Sequence, residues 1–486
     1  MLNAQPYPTG RYDVAVIGAG VVGTLIARAL SRTTLRVVLL ERMHDVSQGT
    51  SKANSAIVHA GYDAKPGSRK ARMNVEGSRQ MPTLCEALHV PLRINGSLVV
   101  AFAPEDMPTL EALLARGQKN GVPGLRLLGP AELFSMEPNL NPAAAGALYA
   151  PTGGIISPYE LAIAAAECAV ANGVELCRDF SVAGIDASPD GDFTIHGPRD
   201  LTARVVINAA GVHADEVARM IGDDSFRIFP RRGEYLLLDQ ARAGVVSATI
   251  FQCPTNMGKG VLITPTVHQN ILLGPSAEDV EARDDFATTD AGLQGVLEAV
   301  ALSVPGFVPR DVITSFTGIR AHCDRDDFVL EPSAAHPRFL HAAGIESPGL
   351  SAAPAIADYL LELVRDAIGP LEEKPDWNPG RKEPVRMREL SQEARREAIA
   401  RNSAYGRIIC RCETVSEGEI LDAIHAPAGA RDVDGVKRRT RAGMGRCQGG
   451  FCGVKVLELL ARELGVAPEE ITKSGGGSRI LLERTE

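Results

Sequence analysis

A chain of 486 residues exceeds the size at which one hydrophobic core usually stops growing, so two or three domains are expected. Its 45% apolar and 23% charged composition is that of an ordinary globular protein. The net charge of -9 argues against a nucleic-acid binder, which needs clustered positive charge to displace counterions. No run approaches the roughly 18 consecutive apolar residues of a membrane helix, and Met1 to Gly10 has no charged start followed by an apolar core; the expected location is the cytoplasm.

The first element in chain order is YDVAVIGAGVVGTLIARALSR, an apolar strand (Val14 to Ile17), then Gly18, Gly20 and Gly23, then a helix. Gly18 allows the tight turn, Gly20 lets backbone approach a pyrophosphate, and Gly23 lets helix and strand pack closely. The helix N-terminus offers unpaired N–H groups to the anion. A second strand, RVVLLE, ends in Glu41, 18 residues after Gly23, where a carboxylate can take ribose hydroxyls. This is the full strand-turn-helix context of a dinucleotide site, and it leaves NAD and FAD both open.

GTSKANSAIVHAGYD follows the second strand directly, VVINAAGVHADEVA spans Val205 to Ala218, and FLHAAGIESPGLSAAPAIADYLL spans Phe339 to Leu361. In that order they resemble the flavin-contacting loop, the returning glycine turn, and the C-terminal flavin-binding turn and helix of the D-amino-acid-oxidase-like flavoproteins. The resemblance runs over roughly 11–364. NSAIVHAGYDAKPGSRKA is similar to FAD-dependent glycerol-3-phosphate dehydrogenases and oxidases and to L-2-hydroxyglutarate dehydrogenases, and RRGEY at Arg231 to Tyr235 also resembles the latter. An α/β fold is implied, with a Rossmann-type FAD domain assembled from 11-80, 150-225 and 310-366. An α+β substrate cap from 81-149 and 226-309 would lie over it, and GEYLLLD, GVLITPT and NILLGP are candidate strands for its antiparallel sheet. Noncovalent FAD is implied, held by Gly18, Gly20, Val22, Gly23, Glu41, Arg42, Thr50, Ser51, Asn54, Ser55, Val182, Ala210, Gly211, Gly344, Gly349 and Leu350.

Oxidising a secondary alcohol requires a base for its hydroxyl proton and a clamp for an anionic substrate. His59 is the leading base, since its imidazole titrates near neutrality and the histidine of this loop lies by the isoalloxazine in the resembling families. Arg320, in FTGIRAHCDRDDFVLEP, stands where these flavoproteins carry an anion-binding arginine, and a guanidinium holds phosphate or carboxylate bidentately. Lys259, in NMGKGVLITP, is a second cation that would reach down from the cap; the alternative is a solvated loop lysine. Ser347 could donate to substrate or flavin, or serve only its own turn. His213, His322 and Tyr62 are assigned to packing.

The segment 367-406 turns charged and proline-rich and reads as a linker. Its EEKPDWNPGRKEP stretch holds the one tryptophan, Trp377, which points to packing of the strap on a domain surface, and RELSQEARREAIAR reads as a short charged helix. Five of the nine cysteines (Cys85, Cys168, Cys177, Cys253, Cys323) are scattered and look like core thiols. The other four give Cys410-x-Cys412, a gap of 34 residues, and Cys447-x4-Cys452. Four thiolates in two close pairs suit a 2Fe-2S cluster or zinc, and the single residue between Cys410 and Cys412 tilts toward iron-sulfur. The region from about 407, with VKRRTRAGMGRCQGGFC and the apparent helices ILDAIH and VKVLELLARELG, resembles the bacterioferritin-associated-ferredoxin-like 2Fe-2S domain, assigned to 407-486. Lys437, Arg438, Arg439 and Arg441 would offset cluster charge or dock an acidic partner. KSGGGSR reads as a flexible connector before Ile480 to Leu482.

The two halves together resemble the catalytic subunit of anaerobic-type glycerol-3-phosphate dehydrogenases. That implies oxidation of sn-glycerol 3-phosphate to dihydroxyacetone phosphate, with electrons passing from flavin to the 2Fe-2S cluster and on to redox partner subunits leading to quinone or NAD, and any contact with the inner membrane made through those partners. The runner-up is an L-2-hydroxyacid dehydrogenase acting on 2-hydroxyglutarate, followed by an amino-acid or opine dehydrogenase. Retention of His59 and Arg320 speaks against a non-enzymatic electron-transfer module.

Overall fold

The computed structural model describes residues 10–188, 190–254 and 260–482. It is a mixed α/β structure. Strand β1 (Arg11–Ile17) leads into helix α1 (Val21–Leu30) and strand β2 (Val37–Leu40). Val14, Ala15, Val16 and Ile17 are buried without alternation, as in a parallel strand covered on both faces. β1 pairs in parallel with β2 and with the strand Leu201–Asn208 in an eight-stranded sheet, and the strand Phe339–Ala343 continues the parallel run beyond Leu201–Asn208. Helices α1, Pro158–Ala171 and Gly349–Ile368 bury their apolar faces in one core with this sheet.

A second sheet of nine strands forms the cap. The three expected strands lie here as Ile228–Leu238, Leu262–Pro265 and Ile271–Gly274, with antiparallel pairing between neighbours. The cap's limits depart from the sequence reading at two places. Helix Arg69–Ala87 runs past residue 80 and packs its buried face, Met73, Met81 and Leu84, into the FAD-domain core, so the first cap strand is Ser97–Ala101. The strand Val312–Cys323 pairs along the whole of Ile228–Leu238 and so belongs to the cap sheet, not to the 310-366 part of the FAD domain.

The strap packs on the FAD domain as its tryptophan indicates: Trp377 Nε1 donates to Ser31 Oγ at 3.1 Å, with Arg28 over the ring. The charged helix spans Gln392–Arg401, capped by Ser391, whose side chain accepts from Ala394 N. The C-terminal domain packs helices Glu417–His425, Val433–Thr440 and Gly453–Leu464 around a separate core of Ile420, Val436, Leu457 and Leu460. KSGGGSR is not a free connector. Lys473 N donates to Ser478 O at 2.7 Å and Gly475 N to Thr472 Oγ1 at 3.0 Å, and the resulting turn sits against His44 of the FAD domain.

Candidate functional site

Three segments meet at the C-terminal end of β1. Gly18 N donates to Leu40 O at 2.8 Å and Ala209 N to Ile17 O at 2.9 Å, bringing the glycine turn, the end of β2 and the turn at Ala210 and Gly211 to one point. This is where an open parallel sheet places its ligand crevice. Gly18 has φ +102°, and a Cβ there would stand 2.4 Å from Ala209 O. A Cβ on Gly23 would stand 1.9 Å from Gly18 O. Both obstacles are backbone, which cannot swing aside, so Gly23→Ala is expected to spoil the turn. The protein should purify with at most about a tenth of its normal flavin, because overpacking of this kind costs about 1–3 kcal/mol; flavin absorbance per chain, with circular dichroism to verify folding, measures it.

The cleft above this point has a volume of about 1400 Å3. Small-ligand pockets typically span about 300–1,000 Å3, so there is room for an extended cofactor and a substrate together. Gly18, Gly20, Val22, Glu41, Arg42, Thr50, Ser51, Asn54, Ser55, Val182, Ala210, Gly211, Gly349 and Leu350 all line it. Gly23 packs beneath it. Gly344 does not line it: with φ +64° it turns the chain against Cys323, a position chosen for backbone conformation and not for cofactor contact.

Several features fit FAD. Helix α1 has no acidic residue in its first turn, so its positive end faces the cleft without a local anion. Ser51 Oγ accepts from Val21 N at 2.8 Å and ties the flavin loop to that helix end. Glu41 is buried, and its carboxylate accepts from Ala19 N at 2.8 Å and Met43 N at 2.9 Å; burial raises its pKa while these N–H groups oppose the rise. Asn54 is spent inside the loop, donating to Thr50 O and Ser51 O and accepting from Ala56 N, so it shapes the cradle. Arg42 pairs with Asp284 of the cap and serves there as a latch over the cleft. Neighbouring Arg283 latches in the same way on Asp215 of the FAD domain, while Asp285 pairs with Arg232 inside the cap and steadies the loop that carries both latches.

His59 follows the short strand Ile57–Val58 and is fixed by its backbone. Its N–H donates to Ser351 Oγ at 2.7 Å, while its carbonyl accepts from Asn74 Nδ2 at 2.9 Å and Ser78 Oγ at 2.6 Å. The ring then enters the cleft with Nε2 3.3 Å from Ser347 Oγ and its centroid 5.8 Å from that of Phe251. Arg320 lines the same cleft from the cap sheet, directly across from Arg231 in the strand register. Arg231 is held by Asp279 at 2.5 and 3.2 Å. Arg320 by contrast donates only to backbone, Arg232 O at 3.3 Å and Ser276 O at 3.0 Å, and its Nε is buried with no partner among the described residues. Such an orphaned donor is a place prepared for an acceptor.

Lys259 lies outside the described residues. Sequence reasoning passed over Tyr235 and Phe251, which also line the cleft; Tyr235 stacks on Phe316 and its hydroxyl lies 3.1 Å from Ser55 Oγ. The RRGEY stretch was the available signal for Tyr235. His322 does more than pack: Nδ1 lies 3.1 Å from Glu346, which also takes Lys70 at 2.9 Å.

In the C-terminal domain the four cysteines gather at the start of helix Gly453–Leu464 and on the hairpin before Glu417–His425. Cys412 and Cys447 are 3.6 Å apart at the surface, and Cys410 and Cys452 form an inner, hydrogen-bonded pair. Among the described residues no three ligands converge on a single ion. Two thiol pairs suit a two-iron cluster better than one zinc ion, and the cysteines present therefore fit 2Fe-2S. The hydrogen bond from Cys452, together with N–H groups of Gly443 and Glu413, holds the Cys410 thiol below its usual range against the opposing effect of burial.

The basic run beside them does not face outward as a docking patch. Arg438 and Arg439 are buried on Asp45 of the FAD domain, and Arg441 is bound to Glu413 at 2.8 Å. The anion they meet belongs to the same chain.

Comparison with known proteins agrees with this division. The family model for FAD dependent oxidoreductases of the DAO type matches residues 13–363, and that for the BFD-like [2Fe-2S] binding domain matches 408–462. The chain is 47% identical to a glycerol 3-phosphate dehydrogenase of Caloramator mitchellensis over 98% of its own length and 99% of the relative's. It is 32% identical to a glycerol 3-phosphate oxidase of Mycoplasma genitalium, over 76% and 97% of the two chains. The solved structure of the dithionite-reduced, FAD-bound L-alpha-glycerophosphate oxidase from Mycoplasma pneumoniae superposes with a TM-score of 0.73 at 30% identity, covering 76% of this chain and 98% of that one. The chain thus belongs to the DAO family of FAD dependent oxidoreductases and carries a BFD-like [2Fe-2S] binding domain behind it.

Proposed function

We propose that the protein oxidises sn-glycerol 3-phosphate to dihydroxyacetone phosphate and passes the electrons, one at a time, through the 2Fe-2S domain to a separate acceptor. The observation that carries the substrate assignment is Arg320, which lines the cleft with its Nη2 anchored on two backbone carbonyls and no carboxylate within ion-pair distance among the described residues. A guanidinium without a bonded ion-pair partner in a lined cleft calls for an anionic substrate, which it can hold through its planar fork. The whole-length relative named as a glycerol 3-phosphate dehydrogenase supports phosphate over carboxylate.

His59 takes the hydroxyl proton at Nε2, and Ser347 Oγ at 3.3 Å orients the ring. Bound FAD supplies the two-electron acceptor for the hydride leaving the same carbon. The cap sheet and its latch at Arg283 and Asp284 keep water from that carbon. The four-cysteine domain divides the electron pair, because an iron-sulfur cluster accepts electrons singly.

Anaerobic titration of the purified holoprotein with glycerol 3-phosphate and, separately, with L-2-hydroxyglutarate tests the assignment. Rapid bleaching of the flavin by the phosphate ester and none by the hydroxyacid is expected. Bleaching by hydroxyglutarate alone would replace the assignment with a hydroxyacid dehydrogenase. No described helix is long and apolar enough to cross a membrane.

A further inference from the structure

The inner thiols Cys410 and Cys452 are buried, whereas Cys412 is exposed and Cys447 half-buried, so the cysteine site has one covered edge and one edge open to solvent. Gly445 packs on Cys412, which brings the two cysteine loops together at that open edge. Phe451 and Val454 flank it with 87% and 67% of their surface exposed. A phenylalanine this exposed, next to a redox site, is the kind of apolar surface that marks an interaction face.

The charge around it is predominantly positive. Arg411 and Lys455 are exposed beside the cysteines, Arg446 is exposed too although it also reaches Asp239 of the cap at 3.3 Å, and Glu458 is the acid one turn along the same helix. A cationic rim on a chain of net charge -9 is a local reversal of the whole-molecule field. A small quinone would need a concave apolar pocket, and a side chain exposed to this extent is not the wall of one. The shape and charge fit another protein.

We infer that the Cys412–Cys447 edge, with Phe451 and Val454 at its centre and Arg411, Arg446 and Lys455 around it, docks a small acidic one-electron carrier protein. The inference rests on the relay reading of the 2Fe-2S domain. Each turnover removes two electrons and two protons from the alcohol, and two oxidised carrier molecules dock in succession, each leaving with one electron. The apolar centre sets how long a carrier stays and the cationic rim how fast it arrives.

Binding of the FAD- and cluster-loaded protein to a purified acidic plant-type 2Fe-2S ferredoxin, measured by calorimetry at low and high salt, provides the test. Tight binding that weakens steeply with salt is expected, and Phe451→Ser with Val454→Ser, or Lys455→Glu alone, should weaken it about tenfold or more. In the same variants bleaching of the flavin by glycerol 3-phosphate should proceed at the unaltered rate, and the visible spectrum of the cluster should be retained. Absence of wild-type binding, or variants that bind as wild type does, overturns the inference. Loss of a homodimer in the variants overturns it too, by giving the face to a second copy of this chain. Failure of the relay reading looks different: the flavin bleaches in the wild-type protein while the cluster absorbance stays oxidised, whatever the ferredoxin does.

Discussion

Arg320→Met is expected to lower kcat/KM for glycerol 3-phosphate roughly a hundred- to a thousand-fold, because truncating one member of a buried, hydrogen-bonded charge pair costs about 2–5 kcal/mol. The methionine fills much of the stem's volume, so the loss reports the guanidinium and not a cavity. Arg320→Lys should recover only part of it, since an ammonium cannot repeat the planar fork or reach both carbonyl anchors, Arg232 O and Ser276 O, while facing the substrate. Steady-state kinetics with flavin content per chain as the control measures both variants. The control matters because Arg320 sits on the cap strand Val312–Cys323, away from the glycine turn at Gly18, so flavin content should stay normal. An unchanged kcat/KM in the methionine variant would remove the observation on which the substrate assignment stands.

The parts of this molecule written in short-range pattern were legible in the sequence. Gly18 and Gly23 declare themselves because backbone oxygens occupy the space a Cβ needs. The paired cysteines declare themselves by spacing, and the helix Gln392–Arg401 and Trp377 by their setting in a charged strap. What escaped depends on partners far away in the chain. Arg438 and Arg439 read as cations that offset cluster charge or dock an acidic partner because their anion, Asp45, lies 393 residues upstream of Arg438 and 394 upstream of Arg439. KSGGGSR reads as a connector because glycine and serine are flexible on average, yet its turn is closed by its own hydrogen bonds and seated on His44. Gly344 reads as a cofactor residue because it neighbours true lining residues, although its positive φ alone accounts for it. The strand Val312–Cys323 was given to the wrong domain for the same reason: periodicity identifies a strand but not the edge it joins.

The buried contact of Asp45 with Arg438 and Arg439 supplies the second large effect. All three side chains are at most 6% exposed, and Asp45 accepts from Arg438 Nη2 at 2.7 Å and from Arg439 at 2.7 and 2.8 Å. Burial alone would raise the Asp45 carboxyl, but the two guanidinium groups outweigh it and hold the carboxyl well below its usual range, so it stays ionised. Asp45→Leu leaves Arg439 buried without an ion-pair partner and Arg438 with only Asp432 at 4.0 Å, a change that typically costs about 3–5 kcal/mol. The cost falls on the interface between domains, because Asp45 belongs to the loop after β2 and both arginines to the helix Val433–Thr440. The expected result is a C-terminal domain released from the FAD domain, seen as rapid proteolysis within 367–406 and as an enlarged radius in small-angle scattering. The FAD-domain core, which includes neither arginine, should keep its own melting transition. Acid should act in the same direction as the mutation. A carboxylate depressed in the folded state contributes its stability above the unfolded value, about 3.9, and loses it as the pH falls below that toward the folded value. The wild-type strap should therefore stay protected from acid-active protease at pH 5 and lose protection progressively as the pH falls below about 4, whereas Asp45→Leu should be open throughout. If the leucine variant instead resists protease at pH 5, docking is carried by the remaining contacts, Arg178 Nη1 to Gly429 O at 2.9 Å foremost among them, and the buried arginines owe their place to packing and not to charge.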